Sequence, residues 1–119
     1  MVRPEALRLL ERVGIASAGL RSKSWDEFAK PGAAKFDFVF TVCDNAAREA
    51  CPVWPGQPIT AHWGVADPAA VTGTPEEIEK AYFDACMVLE RRIRLFLSLP
   101  MQALDRVALK RRVDEIGKQ

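Results

Sequence analysis

The residues best suited to chemistry are two cysteines, Cys43 and Cys51, with seven residues between them. If that segment were helical throughout, eight steps of about 1.5 Å would hold the two Cα atoms about 12 Å apart, beyond the disulfide limit of about 7 Å. A helix as short as residues 46–50 is only marginally stable, so it can unwind. The spacing therefore permits a redox pair that switches between a reduced helix and an oxidised loop.

Two other roles are open to these thiols. Cysteines beside an apolar strand are often inert packing residues, and the spacing alone leaves that interpretation standing. Zinc binding is less favoured, because Cys-x7-Cys followed by the single His62 matches no common finger or ribbon spacing. We expect neither a bound metal nor a cofactor.

Three further residues near the thiols have both a functional and a structural interpretation. Asp67 precedes Pro68, which favours an extended conformation that could present a general acid or base, although an Asp-Pro pair by itself more often forms a turn. His62 lies within a predicted strand, and we expect it to be a hydrogen-bonded structural histidine. Trp54 is predicted to anchor a stiff proline-rich loop, and an exposed Trp there could contact a protein partner.

A second cysteine pattern is a decoy. The segment from Cys86 to Arg92 satisfies Cys-x5-Arg, the tyrosine phosphatase signature, in which successive backbone N–H groups surround an oxyanion. Here the pattern falls within a predicted long helix, where those N–H groups are already bonded and no glycine permits a cradle. We therefore expect Cys86 to be an ordinary helix residue.

A parallel sheet is needed to bring the candidate residues together. Residues 36–42 are β-branched and aromatic with little alternation, which predicts a strand buried on both faces. A weaker strand is predicted from Pro58 or Ile59 to Val65, and the residues between the two strands are enough for a parallel crossover containing a short helix. Ligands gather beyond the carboxyl ends of such strands, so Cys43, Cys51 and Asp67 are predicted at one rim of the sheet.

Helices are predicted on either side of these strands. They cover residues 4–13, a short segment capped by Ser24 and ended before Pro31, a long amphipathic helix from Thr74-Pro75 to Pro100, and about 102–116. Open sheets usually have about four to six strands, and two strands would leave an edge bare. We therefore expect further strands from a segment preceding Met1.

Composition sets the remaining bounds. The 119 residues suit one domain, 1–119, and a formal net charge of +1 gives no reason to expect nucleic acid or a membrane as partner. Three cysteines are too few for a secreted disulfide scaffold, and the N-terminus has no apolar signal core. We expect a cytoplasmic protein.

The run from Thr41 to Gly56, TVCDNAAREACPVWPG, carries a family resemblance together with Ala61-His62-Trp63-Gly64 and Asp67-Pro68-Ala69. It resembles the thiol-dependent arsenate reductases of the low-molecular-weight protein tyrosine phosphatase superfamily. The similarity extends through residues 19–25 and the long helix, nearly the whole chain. It implies an α/β fold with a four-stranded parallel sheet between layers of helices.

The resemblance also implies a chemistry. In these enzymes a first thiolate, in a Cys-x5-Arg loop, attacks arsenate, a second cysteine attacks the adduct and releases arsenite, and a third resolves the resulting disulfide. Cys43 matches the second cysteine, Cys51 the third, and Asp67 the acid that protonates the leaving oxygen. A thioredoxin-like or other thiol reductant would then reduce the Cys43–Cys51 disulfide.

The chain departs from the family pattern at its start, because no opening strand and no Cys-x5-Arg loop precede Met1. We therefore expect a remnant of the three-layer fold, with its opening strands and phosphate-binding loop absent, that does not reduce arsenate by itself. Two alternatives stay open. One is a non-catalytic module that docks onto a partner, or a second copy of itself, through an exposed sheet edge. The other is a phosphatase of the same fold, which needs Asp67 but has no use for the cysteine pair.

Overall fold

The computed structural model describes residues 2–32, 34–42 and 56–119. Within these ranges the chain forms helix α1 (Pro4–Arg12), a 3-10 helix (Trp25–Phe28), strands β1 (Phe38–Thr41) and β2 (Ile59–His62), a 3-10 helix (Pro68–Ala70), and helices α2 (Pro75–Leu97) and α3 (Arg106–Ile116). Cys43, Cys51, Trp54 and the predicted helix 46–50 lie outside the described residues. The predicted α/β class is confirmed.

The two described strands pair in parallel, as predicted. Phe38 lies opposite Ile59, and the register continues to Thr41 opposite His62. Both strands are shorter than predicted. Phe36, for example, precedes the sheet and packs edge-on against Phe28 of the first 3-10 helix, with ring centroids 5.7 Å apart.

One face of this sheet carries the hydrophobic core. Because side chains alternate along a strand, a single face presents the aromatic and aliphatic residues of both strands, which helices α2 and α3 cover. Trp63, just after β2, is stacked on Phe40 with ring centroids 3.9 Å apart, and both rings pack edge-on against Phe96 of α2. The residues that pack together are Phe38, Phe40, Ile59, Ala61, Trp63, Leu95, Phe96, Leu99, Leu109, Val113 and Ile116.

The other face of the sheet corrects the prediction of a strand buried on both sides. Along β2, buried Ile59 and Ala61 alternate with exposed Thr60 and His62. No β1 residue reaches full burial. In the part of the chain that the structure describes, the helices cover the aromatic face of the sheet, and this leaves β2 with the alternation of a half-buried strand.

Local sequence signals fix most helix ends. Helix α1 stops before Gly14, whose φ of 79° is the left-handed value that glycine adopts without a Cβ penalty. Thr74 caps α2, accepting a hydrogen bond from the Glu77 N–H at 3.2 Å. The Ser24 hydroxyl accepts a hydrogen bond from the Asp26 N–H and so caps the predicted short helix. That helix is a short 3-10 helix, Trp25–Phe28.

Helix α3 starts four residues later than predicted. Asp105 is its N-cap, with Oδ1 accepting from the Ala108 N–H at 2.8 Å, and residues 101–103 form a turn before it. The predicted stop before Gly117 is confirmed.

Helix α1 packs on α2. No described helix is both long and apolar enough to cross a membrane.

Candidate functional site at the carboxyl ends of the strands

The last residues of the two strands form a polar pair at the carboxyl end of the sheet. Thr41 and His62 are register partners, and Thr41 Oγ1 lies 2.7 Å from His62 Nδ1, a hydrogen-bonding distance. This confirms the prediction of a hydrogen-bonded histidine. His62 is the last residue of β2, so it lies at the carboxyl end of the sheet, where ligands of parallel sheets bind, and it is exposed.

Gly64 lies directly against this histidine. A Cβ built on Gly64 would be 2.9 Å from His62 Nε2, closer than real Cβ contacts, so a side chain there would displace the imidazole. The constraint is steric, since the glycine allows the main chain to pass close to the ring. The sequence motif His62-Trp63-Gly64 thus has a physical basis in this packing.

Backbone hydrogen bonds continue past the strands into the two segments that carry candidate residues. The Trp63 N–H donates to the Thr41 carbonyl at 2.6 Å, and the Val65 N–H donates to the Val42 carbonyl at 2.8 Å. Val42 immediately precedes Cys43, and Val65 is two residues before Asp67. The chain entering Cys43 and the chain entering Asp67 are therefore held side by side.

Asp67 has the extended conformation that its position before proline predicts, with φ −71° and ψ 110°. Its Oδ1 accepts a hydrogen bond from the Ala69 N–H at 2.9 Å and so caps the 3-10 helix Pro68–Ala70. The residue is exposed. The turn-forming role is thus realised in the structure, and it fixes the carboxylate in a position that solvent can reach.

A cavity of about 420 Å³ lies beside Asp67. The loop after β2, residues 63–67 and called the Asp67 loop below, forms one wall and helix α2 the other. The lining residues include Gly64, Asp67, Asp84, Arg91, Arg92 and Gln119. Its walls include charges of both signs. The volume falls in the range of small-molecule sites, about 300–1,000 Å³.

Tyr82 is a neighbour of this loop that the sequence indicated only as part of the apolar stripe of the long helix. It is 8% exposed, and burial raises the pKa of its phenol, with a further increase from the negative charge of Glu5, whose side chain is also hydrogen-bonded to it. The positive charge of Arg3 opposes this and lowers the pKa, and the charge of Asp67 raises it to a smaller extent. Tyr82 thus links α1, α2 and the Asp67 loop electrostatically.

The decoy motif is confirmed as helical, since Cys86 and Arg92 both lie within α2. Arg92 is 6% exposed and donates to main-chain oxygens of Gly64 and Gln119. A guanidinium committed to these acceptors and surrounded by helix does not offer the open cradle that an oxyanion needs.

The structure thus brings Thr41, His62 and Asp67 to one end of the sheet. Cys43 and Cys51 lie outside the described residues, which end at Val42 before this gap. Among the described residues, no group of three or more His, Cys, Asp or Glu side chains could hold a metal ion.

Sequence comparisons with known proteins show which proteins this chain is similar to. No family model matches the chain. It is similar to the arsenate reductase of Halalkalibacterium halodurans, with 30% identity over 95 residues, and to that of Oceanobacillus iheyensis, with 31% identity over 93 residues. These matches cover 80% and 78% of the chain. The arsenate reductase of Bacillus subtilis is 36% identical over 74 residues, which is 62% of the chain.

The matched regions span 66% and 64% of the first two relatives, a little under two thirds of their length, and 50% of the Bacillus subtilis protein. All three relatives carry the same name, and each match covers more than half of the chain. The resemblance to arsenate reductases, first indicated by the cysteine and Asp-Pro motifs, is therefore confirmed, and the chain belongs to the arsenate reductase family.

Proposed function

We propose that this chain supplies the disulfide relay and the acid of an arsenate reductase. In this scheme Cys43 and Cys51 are the second and third thiols, Asp67 is the proton donor, and a thioredoxin-like dithiol is the reductant. The single observation that carries the proposal is the hydrogen bond from the Val65 N–H to the Val42 carbonyl, since it holds the segments entering Cys43 and Asp67 side by side.

The relay balances as a two-electron reduction of arsenic. The Cys43 thiolate attacks the sulfur of a thiolate–arsenic(V) adduct, so that a sulfur–sulfur bond forms, the sulfur–arsenic bond breaks, and the electron pair of that bond leaves with arsenite. The Cys51 thiolate then attacks the Cys43 sulfur and expels the first thiolate. The product is the Cys43–Cys51 disulfide, which an external dithiol reduces.

Asp67 contributes the proton when arsenate forms the adduct, because an oxygen leaves more readily as water or hydroxide once it is protonated. Its exposed carboxylate, fixed by the Ala69 N–H, is compatible with this task. The cavity beside it has the dimensions of a small-molecule site.

The relay also needs a first thiolate that attacks arsenate, which in the resembling enzymes lies in a Cys-x5-Arg loop. Within the 119 residues, Cys-x5-Arg occurs at Cys86–Arg92, and that occurrence is helical. We propose that the chain by itself does not turn over arsenate. A coupled assay with thioredoxin, thioredoxin reductase and arsenate measures this directly, and sustained turnover by these 119 residues would contradict it.

The relay itself can be tested by mapping disulfides. The reduced chain is treated with an equimolar mild oxidant, alkylated and digested, and its peptides are identified by mass. We expect one disulfide joining Cys43 to Cys51, with Cys86 alkylated. The Cys86→Ser variant is the matched control and is expected to form the same disulfide.

Two results would contradict the relay. Full alkylation of both Cys43 and Cys51 after oxidation would support inert packing thiols. A disulfide that includes Cys86 would assign the reactive thiols differently.

A further inference from the structure

Arg92 is a buried cation whose partners are main-chain oxygens from two separate segments. Its Nη1 donates to the Gly64 carbonyl at 3.0 Å, and its Nε and Nη2 donate to the main-chain oxygen of Gln119 at 3.3 and 3.0 Å. It is 6% exposed. The planar guanidinium suits this arrangement, because it presents several donors in fixed directions.

Burial disfavours the charged form of the Arg92 guanidinium. Burial lowers the pKa of Arg92, and the neighbouring charge of Arg91 lowers it further. A buried guanidinium is tolerated where its donors are hydrogen-bonded, and removal of such a group leaves buried acceptors unsatisfied. The three hydrogen bonds therefore offset the cost of burying Arg92 and satisfy main-chain oxygens of Gly64 and Gln119.

The two acceptors belong to separate segments, the start of the Asp67 loop and the residues after α3. Gly64 is three residues before Asp67, and Gln119 follows helix α3. Gly117 packs closely on the same region, since a Cβ there would lie 2.8 Å from Trp63 Cδ1 and 2.9 Å from the His62 carbonyl oxygen. Arg92 thus ties the start of the loop to α2 and to the end of α3.

The same loop is also held by the hydrogen bond from the Val65 N–H to the Val42 carbonyl. Between these attachments and Pro68, the loop has to place the Asp67 carboxylate. The Gly64 carbonyl and the Val65 N–H belong to the same peptide unit. Arg92 donates to its carbonyl, and its N–H donates to Val42, so the unit is hydrogen-bonded at both ends.

We propose that Arg92 is a positioning residue that fixes the peptide unit between Gly64 and Val65, and through it the Asp67 carboxylate. The inference rests on the proposed function in one respect, namely that Asp67 is the acid. The role proposed for Arg92 acts through the main chain, because the hydrogen bonds of its guanidinium are to main-chain oxygens of Gly64 and Gln119.

Amide hydrogen exchange of the full chain, resolved by NMR, tests this without arsenate turnover. In Arg92→Gln we expect the amides of Val65 and Ala69 to exchange faster by about tenfold or more, because opening of the loop becomes less costly. The amides within β2 and α2 should keep their protection. Arg94→Gln is the matched control, because among the described residues its guanidinium bonds to Glu90 on the same helix, and its side chain is 78% exposed.

A purely structural role of Arg92 would give a different pattern, with faster exchange throughout the core. That result, or unchanged exchange at Val65 and Ala69, would overturn the inference. If Arg92→Gln does not fold, Arg92→Lys carries the same test, because lysine keeps the charge but cannot reach both acceptors with a rigid fork. Its expected change has the same pattern and a smaller size.

The exchange experiment and the disulfide mapping fail independently. Loss of the Cys43–Cys51 disulfide would remove the proposed function while leaving the exchange pattern of Arg92→Gln intact. Uniform exchange in that variant would remove the positioning role while leaving the relay.

Discussion

Asp67 has one role that the structure shows and a second that belongs to the proposed function. Its Oδ1 caps the 3-10 helix Pro68–Ala70, and the proposed chemistry requires the same group to donate a proton. A cap needs only a hydrogen-bond acceptor, whereas an acid needs a titrating group. Substitutions at this position can therefore separate the two purposes.

The cap makes a prediction about stability. Asp67→Ala removes the acceptor of the Ala69 N–H and should lower the free energy of unfolding by about 0.5–1 kcal/mol, the lower part of the range for capping residues. Asp67→Asn keeps an oxygen acceptor and should cost at most a few tenths. Urea unfolding of the two variants measures this, and equal losses would contradict the cap.

Tyr82 makes a prediction about pH, and the titration is direct because the chain has one tyrosine. Burial and the charge of Glu5 raise its pKa above the ordinary value of 10.0. The ultraviolet absorbance of the phenolate in the folded chain should therefore develop at higher pH than in the unfolded chain. A midpoint at or below 10.0 would contradict the burial of this ring.

The sign of the stability effect follows from linkage. Because the folded pKa is raised, the stabilisation from neutral Tyr82 is complete below the unfolded pKa of about 10 and is lost as pH rises through the folded value. Tyr82→Phe should remove this part of the alkaline decline. The comparison is between urea midpoints of the two proteins at neutral pH and above the unfolded pKa.

At the scale of elements, the docking of α3 on β2 contributes most of the buried core. Val113 is 0% exposed, and its carbonyl accepts a hydrogen bond from the Trp63 indole N–H at 2.9 Å. Because an indole donor buried without a partner is costly, this bond also fixes the orientation of α3 over the sheet.

This docking predicts a contrast between two aliphatic residues of α3. Ile116→Ala should lower the free energy of unfolding by about 2–3 kcal/mol, because it removes a buried side chain and leaves a cavity. Val107→Ala, at a position 70% exposed, should change it by no more than about 0.5 kcal/mol. Similar losses in both variants, measured by urea unfolding, would contradict the packing.

The starts of α2 and α3 differ in how well the sequence predicts them. Thr74 and Pro75 were recognised as a helix start because a cap and an N1 proline occur together. Asp105 was missed, because the apolar pattern extends back to Leu104 and a lone aspartate cap is a weak signal. The cap decides, since it satisfies an N–H group that the longer helix would have bonded internally.

The strands show the same limit for the sheet. Aromatic and β-branched residues predicted that 36–42 is a strand, yet β1 is only Phe38–Thr41 and packs on one side. Composition does not reveal whether Phe36 packs on the sheet or on Phe28, since both contacts are apolar. Parallel pairing was predictable because two apolar strands joined by a long connection leave few other topologies.

At the scale of the whole molecule, the order of strands and loops determines the site. The sequence alone predicted that Asp67 would lie at the carboxyl rim, and the structure places it on the loop after β2. Arg92 and Tyr82 could not be predicted as neighbours of that loop, because their contacts join residues distant in sequence. The Cys-x5-Arg decoy was resolved by its helical context alone.

The central claim is that Cys43 and Cys51 form a disulfide that a thioredoxin-like dithiol reduces. The most direct measurement is NADPH oxidation by thioredoxin reductase and thioredoxin after addition of the oxidised chain. We expect one equivalent of NADPH per chain, unchanged in Cys86→Ser and lost in Cys43→Ser and Cys51→Ser. Equal consumption by Cys51→Ser, or none by the oxidised parent chain, would contradict it.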